Sequence, residues 1–173
     1  MRGPRILVAG IGNIFLGDDA FGIEVVRQLS RRPLPEGVRV EDFGIRSFDL
    51  AYALMDDYDA AILVDATAQG GEPGTVYTIE VESGEDNGQP GPVEMDAHTM
   101  NPMRVLEMVR ALGGKPGRVL VVGCEPATLG DEFEGAQGLS APVAAAVDVA
   151  AGVVESLVAR IVEDRARVAL AAV

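Results

Sequence analysis

GIGNIFLGDDAFG, residues 10–22, joins the first apolar run of the chain, RILVAG (5–10), to its first stretch of helical periodicity. A glycine-rich turn between a strand and a helix is typical of sheets with parallel strands, where ligands bind beyond the carboxyl ends of the strands. Gly-x-Gly at this place usually indicates a nucleotide phosphate, but Asp18 and Asp19 would repel a phosphate. Phe15 also stands where the dinucleotide fingerprint needs a third glycine. The stretch therefore predicts a strand, a turn and a helix at a binding site for a ligand other than a nucleotide.

Five short apolar runs predict strands, and segments of helical period lie between them. The strands are expected at residues 5–10, 38–44, 60–66, 75–81 and 118–125, and helices after residue 22, after His98 and along 143–161. This alternation predicts one α/β domain over residues 1–173, with a five-stranded, mostly parallel sheet between helical layers.

The link between the third and fourth runs, QGGEPG, is too short for a crossover helix, so the fourth strand is expected to be antiparallel. The expected strand order is 2-1-3-5-4. Residues 82–97, rich in glycine, proline and acidic residues, predict a solvated loop.

The composition excludes several classes of partner. Of 173 residues, 14 are basic and 27 acidic, which gives a net charge of −13 and leaves no basic excess for nucleic acid. The amino terminus does not have the pattern of a signal peptide, and no uninterrupted apolar run reaches the ~18 residues of a membrane span. One cysteine, Cys124, excludes an internal disulfide. We expect a cytoplasmic protein that binds no nucleic acid and does not insert into a membrane.

Three polar residues stand out beyond the predicted strands. Asp19 follows the first strand, Asp65 ends the third, and His98, the only histidine, precedes a helix. Each has a purely structural alternative: Asp18 or Asp19 capping the next helix, Asp65 bonding to a nearby turn, and His98 packed or exposed without a ligand. Two carboxylates and an imidazole at one end of a sheet also suit a divalent transition metal with open positions.

These motifs resemble those of the hydrogenase maturation endopeptidases, which remove a carboxyl-terminal extension from the large-subunit precursor of nickel-iron hydrogenases. The similarity runs from Ile6 to about Val162. It is carried by GIGNIFLGDDAFG, LVDA around Asp65, DAHTM around His98, GCEP at 123–126 and GLS at 138–140.

The resemblance implies that Asp19, Asp65 and His98 contact a metal and carry the catalysis. The metal would be nickel held by the substrate precursor, with another divalent ion such as zinc or cadmium expected to occupy the site in vitro. Two departures are present: some members have Glu in place of Asp19, and the loop after the second strand often reads Asp-Gly-Gly-Thr where this chain has DFGIR (42–46). The second departure leaves open which hydrogenase is the substrate.

Two other functions remain possible from the residues. Cys124 and His98 would form the nucleophile and base of a cysteine hydrolase, although Cys124 continues an apolar run where cysteines are usually buried. The same metal ligands would also serve a nickel-binding chaperone that does not cleave.

Arg46 has two interpretations. It would either orient a substrate carboxylate beside Asp19 or pair on the surface with Asp42 or Asp49.

Overall fold

The computed structural model describes residues 2–81, 101–129 and 138–171. The strands are β1 (Ile6–Ile11), β2 (Val38–Gly44), β3 (Ala60–Ala66), β4 (Val76–Val81) and β5 (Arg118–Cys124). The helices are α1 (Phe21–Leu29), α2 (Ser47–Leu54), α3 (Pro102–Ala111) and α4 (Ala141–Ala171), and a short 3-10 helix, Gly17–Ala20, precedes α1.

The five strands form one sheet in the order β2-β1-β3-β5-β4. All neighbours are parallel except β4, which pairs antiparallel with β5. The predicted order and the antiparallel fourth strand are confirmed, and the predicted strand bounds agree with the observed ones to within one residue. The structure adds α2, a helix that the sequence analysis did not predict. The predicted loop at 82–97 lies outside the described residues, and the extent of the domain, residues 1–173, stays a prediction.

Alternation along the strands divides the core between the two faces of the sheet. One set of side chains, including Ile6 and Val8 of β1, packs with α1 and α4. The alternate set, including Leu7 and Ala9, packs with α2 and α3. Strands covered on both faces must be apolar at nearly every position, which is why β1 and β3 read as continuous apolar runs.

Glycines let the backbone of α1 approach the sheet directly. A Cβ on Gly22 would lie 2.1 Å from the carbonyl oxygen of Val64 and 2.3 Å from that of Ile11. A Cβ on Gly10 would lie 2.6 Å from the Gly22 oxygen. These distances leave no room for a side chain, so the first turn of α1 rests on the ends of β1 and β3.

α4 is, among the described residues, the one helix long and apolar enough to cross a membrane by length and composition alone. The predicted last helix, 143–161, lies within α4, and Asp148 and Glu155 interrupt its apolar run. Both carboxylates pair with Arg32, at 2.5 and 2.9 Å. The buried side of α4 packs on α1 and the sheet, so in this fold α4 serves as a core helix.

Replacing Gly22 by Ala should destabilise the fold by about 3 kcal/mol, because the new methyl group meets backbone atoms that cannot move alone. Gly152→Ala in α4 is the matched control: nothing lies within 4 Å of its Cβ, so alanine should stabilise the protein by about 0.5–1 kcal/mol. Denaturant unfolding of the two variants measures both effects. Equal midpoints would show that α1 does not need this close approach.

Candidate active site

The candidate site lies at the carboxyl ends of β1 and β3, where the strand order reverses. β1 and β3 are neighbours in register, with Gly10 beside Val64. The chain leaves β1 through the 3-10 helix that carries Asp19, and Asp65 follows Val64 directly. Because connections diverge at such a point, it leaves a crevice for a ligand.

Asp19 and Asp65 are both buried, with 8% and 6% of their surface exposed. Asp19 Oδ2 accepts a hydrogen bond of 2.9 Å from the backbone N–H of Asn13. Burial raises the pKa of Asp19, and this bond offsets only part of the rise. Burial also raises the pKa of Asp65 well above its ordinary value, and the nearby charge of Asp19 raises it further. The two carboxylates thus form an electrostatically unfavourable pair.

This acidic pair forms no ion pair with a Lys or Arg side chain in the described ranges. Those ranges also hold no group of three or more His, Cys, Asp or Glu side chains placed to bind a metal ion. His98, the third predicted residue, lies outside the described residues, and its role stays a prediction. The structure therefore brings together two of the three predicted residues, and carboxylate oxygens suit a divalent cation.

Asp18 points away from this pair and has a structural role. The carboxylate accepts hydrogen bonds from the N–H groups of Ala127 (2.8 Å), Thr128 (3.1 Å) and Ser140 (2.7 Å), and from the Ser140 hydroxyl (2.9 Å). Burial alone would raise the pKa of Asp18, but these bonds outweigh it and the pKa lies below its ordinary value. Asp18 thus joins the segment after β5 to the start of α4.

Neither aspartate caps the helix that follows it. The first turn of α1 and the 3-10 helix before it both lack a side-chain cap. The capping alternative for Asp18 and Asp19 is therefore wrong for that helix. The carboxylate of Asp18 instead lies at the amino end of α4, where the helix dipole favours an anion.

Glu125 is a buried carboxylate to which the sequence analysis gave no role. It accepts hydrogen bonds from the N–H groups of Gln69 (2.7 Å) and Gly70 (3.2 Å) and from the Tyr77 hydroxyl (3.1 Å). The bond from Gln69 is the main cause of its lowered pKa. Glu125 thereby fixes the loop that follows Asp65. Its position directly after an apolar strand, in GCEP, was the available signal.

Cys124 is fully buried. Burial, and then the charge of Asp18, raise the pKa of its thiol to about 11. A thiol with this pKa is protonated at neutral pH and cannot act as a nucleophile. Full burial and this raised pKa argue against the cysteine hydrolase interpretation.

Arg46 forms one of the surface ion pairs that the sequence suggested for it. Its guanidinium pairs with Asp49 at 3.3 Å and donates to the carbonyl oxygens of Phe43 (3.2 Å) and Asp42. The side chain is 54% exposed. The substrate-orienting interpretation of Arg46 stays a prediction.

Fold and site together define an α/β protein with a buried acidic pair at the switch point of its sheet. The family model described as hydrogenase maturation protease matches residues 23–157. This chain belongs to the hydrogenase maturation protease family, a family of hydrolases.

Three similar proteins support the assignment. A Methanocaldococcus jannaschii protein provisionally named a hydrogenase maturation protease is 36% identical over 154 residues, covering 87% of this chain and 94% of the relative. The structure of the hydrogenase maturating endopeptidase HybD from Escherichia coli matches with a TM-score of 0.69 and 29% identity, covering 90% of this chain and 93% of that one. The hydrogenase 2 maturation peptidase of Thaumarchaeota archaeon SCGC_AB-539-E09 matches with a TM-score of 0.66 and 30% identity, covering 90% and 98%.

The two adjacent aspartates should respond to amide substitution with opposite signs. Asp18→Asn places an NH₂ group against N–H donors and removes a charge-assisted acceptor, so it should cost about 3 kcal/mol. Asp65→Asn removes one of two repelling buried charges and should raise the melting temperature of the metal-free protein by roughly 2–4 °C, for about 1 kcal/mol. Thermal unfolding at pH 7.5 measures both. A destabilised Asp65→Asn variant would mean that the carboxylate is structurally satisfied.

The gain from Asp65→Asn should also depend on pH. A carboxyl group whose folded pKa is raised binds protons more tightly in the folded state, so its contribution to stability is complete below its unfolded pKa, about 3.9, and is lost as pH rises through the folded pKa. Wild type and Asp65→Asn should therefore be most alike near pH 4 and diverge towards pH 8. Melting temperatures across this range test the prediction, and a difference that does not change with pH contradicts it.

Proposed function

We propose that this protein is a metal-dependent endopeptidase that removes the carboxyl-terminal extension of a nickel-iron hydrogenase large-subunit precursor after nickel insertion. Membership of the hydrogenase maturation protease family supports the reaction class. The single observation that supports nickel recognition is the acidic pair: two buried carboxylates, side by side at the switch point, that no described cationic side chain neutralises.

The electrostatics of the pair favour capture of a cation from the substrate. At neutral pH two adjacent buried carboxylates repel each other, and a divalent ion between them would replace repulsion by attraction. Because burial and the charge of Asp19 raise the pKa of Asp65, a metal that binds the pair competes with a proton for that carboxylate. The nickel of a loaded precursor is a divalent ion of this kind. A precursor without nickel has no cation for the acidic pair to bind.

In this proposal Asp19 and Asp65 hold the nickel of the precursor, and His98 supplies the third ligand, as the resemblance implies. The Asn13 N–H and the short 3-10 helix fix Asp19, and β3 fixes Asp65. Rigid placement of both carboxylates positions the neighbouring peptide bond. The bound metal would polarise the scissile carbonyl or activate water.

The partner in this proposal is the large-subunit precursor, and the compartment is the cytoplasm. The fully buried thiol of Cys124 is compatible with a reducing compartment. Zinc or cadmium, which accept carboxylate ligands, should occupy the same residues in the isolated protein.

Asp19→Asn, Asp65→Asn and His98→Ala should each abolish processing, with at least a hundredfold loss of rate, while the fold is retained. Intact-mass spectrometry of the nickel-loaded precursor before and after incubation measures cleavage, and circular dichroism checks the fold. Asp56→Asn, the same substitution at an exposed position, is the control and should process like wild type. A variant that still cleaves would remove its residue from the site.

The same experiment separates a protease from a nickel-binding chaperone. If wild type binds the nickel-loaded precursor but leaves its mass unchanged, the protein is a chaperone and the proposed reaction is wrong. Cadmium offers a second test: it should inhibit processing competitively with the nickel-loaded precursor, and Asp65→Asn should lose cadmium binding in calorimetric titration.

A further inference from the structure

The exposed aromatic side chains of the described residues lie on the loop after β1 and on α2. Phe15, Phe48 and Tyr52 are exposed by 59%, 64% and 61%, whereas every other described Phe or Tyr is buried or half-buried. Ile14 and Ile45, exposed by 42% and 52%, lie beside them in sequence. We call these five residues the apolar rim. Clustered exposed aromatic residues commonly mark an interaction surface.

Hydrogen bonds connect the apolar rim to the acidic pair. The Gly12 N–H donates to the Gly44 carbonyl at 3.0 Å, which joins the loop after β1 to the loop after β2. Asn13 donates its N–H to Asp19 and accepts the Phe15 N–H on its side-chain oxygen, both at 2.9 Å. Phe15 is therefore held outward by the residue that fixes Asp19. The rim begins at the edge of the site.

α2 extends the apolar rim away from the site. Its inward face buries Leu50, Ala51 and Leu54. Phe48 and Tyr52, four residues apart, share the opposite, exposed face. An apolar outer face on a surface helix is unfavourable in water unless something covers it.

An ion pair lies within the apolar rim. Arg46 and Asp49 flank Phe48 and pair with each other at 3.3 Å. The exposed face of α2 that carries Phe48 therefore gains no net charge from Arg46 and Asp49, on a chain of net charge −13. Such a surface complements an apolar segment, whereas a basic segment would be recognised by acidic residues.

We propose that the apolar rim docks an apolar segment of the hydrogenase large-subunit precursor next to the bond that is cleaved, and that this contact does not depend on nickel. The inference rests on the proposed function, because it takes the same precursor as the occupant. Because Asn13 joins Phe15 to Asp19, a polypeptide whose metal reaches Asp19 lies close to Phe15 in this proposal. At about 3.3–3.6 Å per extended residue, a few more residues carry the peptide along the rim.

Recognition is then divided between two surfaces. The apolar rim binds the polypeptide whether or not it carries nickel, and the acidic pair adds affinity only when nickel is present. In this division the apolar rim determines the Michaelis constant. The acidic pair determines the discrimination between nickel-loaded and nickel-free precursor.

The test measures the affinities of nickel-loaded and nickel-free precursor from the same organism for wild type, Phe15→Ala, Phe48→Ala and Asp65→Asn. Each Phe variant should weaken binding of both precursor forms by about tenfold and leave their ratio unchanged. Asp65→Asn should weaken only the loaded form. In processing assays the Phe variants should raise KM about tenfold with kcat unchanged. The matched controls are Val168→Ala and Leu170→Ala, which truncate side chains of similar exposure, 67% and 78%, at the far end of α4 and should behave like wild type.

Other occupants give different results. If a second copy covers the apolar rim, sedimentation velocity will show a wild-type dimer that Phe48→Ala dissociates. If another part of this chain covers it, Phe15→Ala and Phe48→Ala will lower the melting temperature by several degrees. Either result overturns the proposal, as does wild-type affinity in both Phe variants or an effect limited to the nickel-loaded form. If wild type fails to cleave the loaded precursor, the proposed function itself is wrong, while nickel-independent binding still reports on the rim.

Discussion

The site depends on one close backbone contact, between the first turn of α1 and the ends of β1 and β3. Gly22 has no room for a Cβ beneath the carbonyl oxygens of Val64 and Ile11. Gly12, at a φ of 144° and with no space beside the Asp19 carbonyl, folds the chain back just after β1. Because this turn packs directly against the ends of β1 and β3, Asp19 lies next to Asp65. The glycines that resemble a phosphate-binding turn thus serve to pack a helix against a sheet.

The adjacent aspartates show how much of an acid's role is set by its hydrogen-bond donors. Asp18 and Asp19 are both buried, so burial raises the pKa of each. Asp18 receives four hydrogen bonds, which reverse the effect and make it an anionic joint between distant segments. Asp19 accepts a hydrogen bond from the Asn13 N–H, and its pKa stays raised. One carboxylate therefore contributes to stability, whereas burial leaves its neighbour with a raised pKa.

The sequence predicted those features that depend on local pattern or on loop length. Apolar runs marked the five strands, and the six-residue QGGEPG link was enough to predict the antiparallel β4. α2 was missed because Phe48 and Tyr52 put large apolar side chains on its outer face and obscured the helical period. The exposed Phe48 and Tyr52 side chains that obscured the helical pattern are also the ones that indicate an interaction surface on α2.

Roles that depend on distant donors could not be predicted in the same way. The partners of Asp18 lie 109 to 122 residues further along the chain, so nothing near GDDA distinguished it from Asp19. Glu125 is satisfied by residues 48 to 56 positions earlier, and its neighbours in sequence gave no indication of that contact. The partner of Arg46 could be predicted, because Asp49 is only three residues away. A surface pair with Asp42 or Asp49 was one of the two interpretations of Arg46.

Repulsion within the acidic pair, which has no cationic partner among the described residues, destabilises the folded state, and other contacts must offset this loss. The Asp18 and Glu125 carboxylates, each surrounded by donors, are rigid attachment points on either side of that pair. Asp18 fixes the segment entering α4, and Glu125 fixes the loop that follows Asp65, so neither flank can relax to separate the repelling charges. Relaxation would lower the energy of the empty site and with it the gain from binding a cation. Two carboxylates that are well supplied with donors therefore hold the repelling pair in place, and in the proposed function this arrangement preserves the affinity for a metal that the substrate brings.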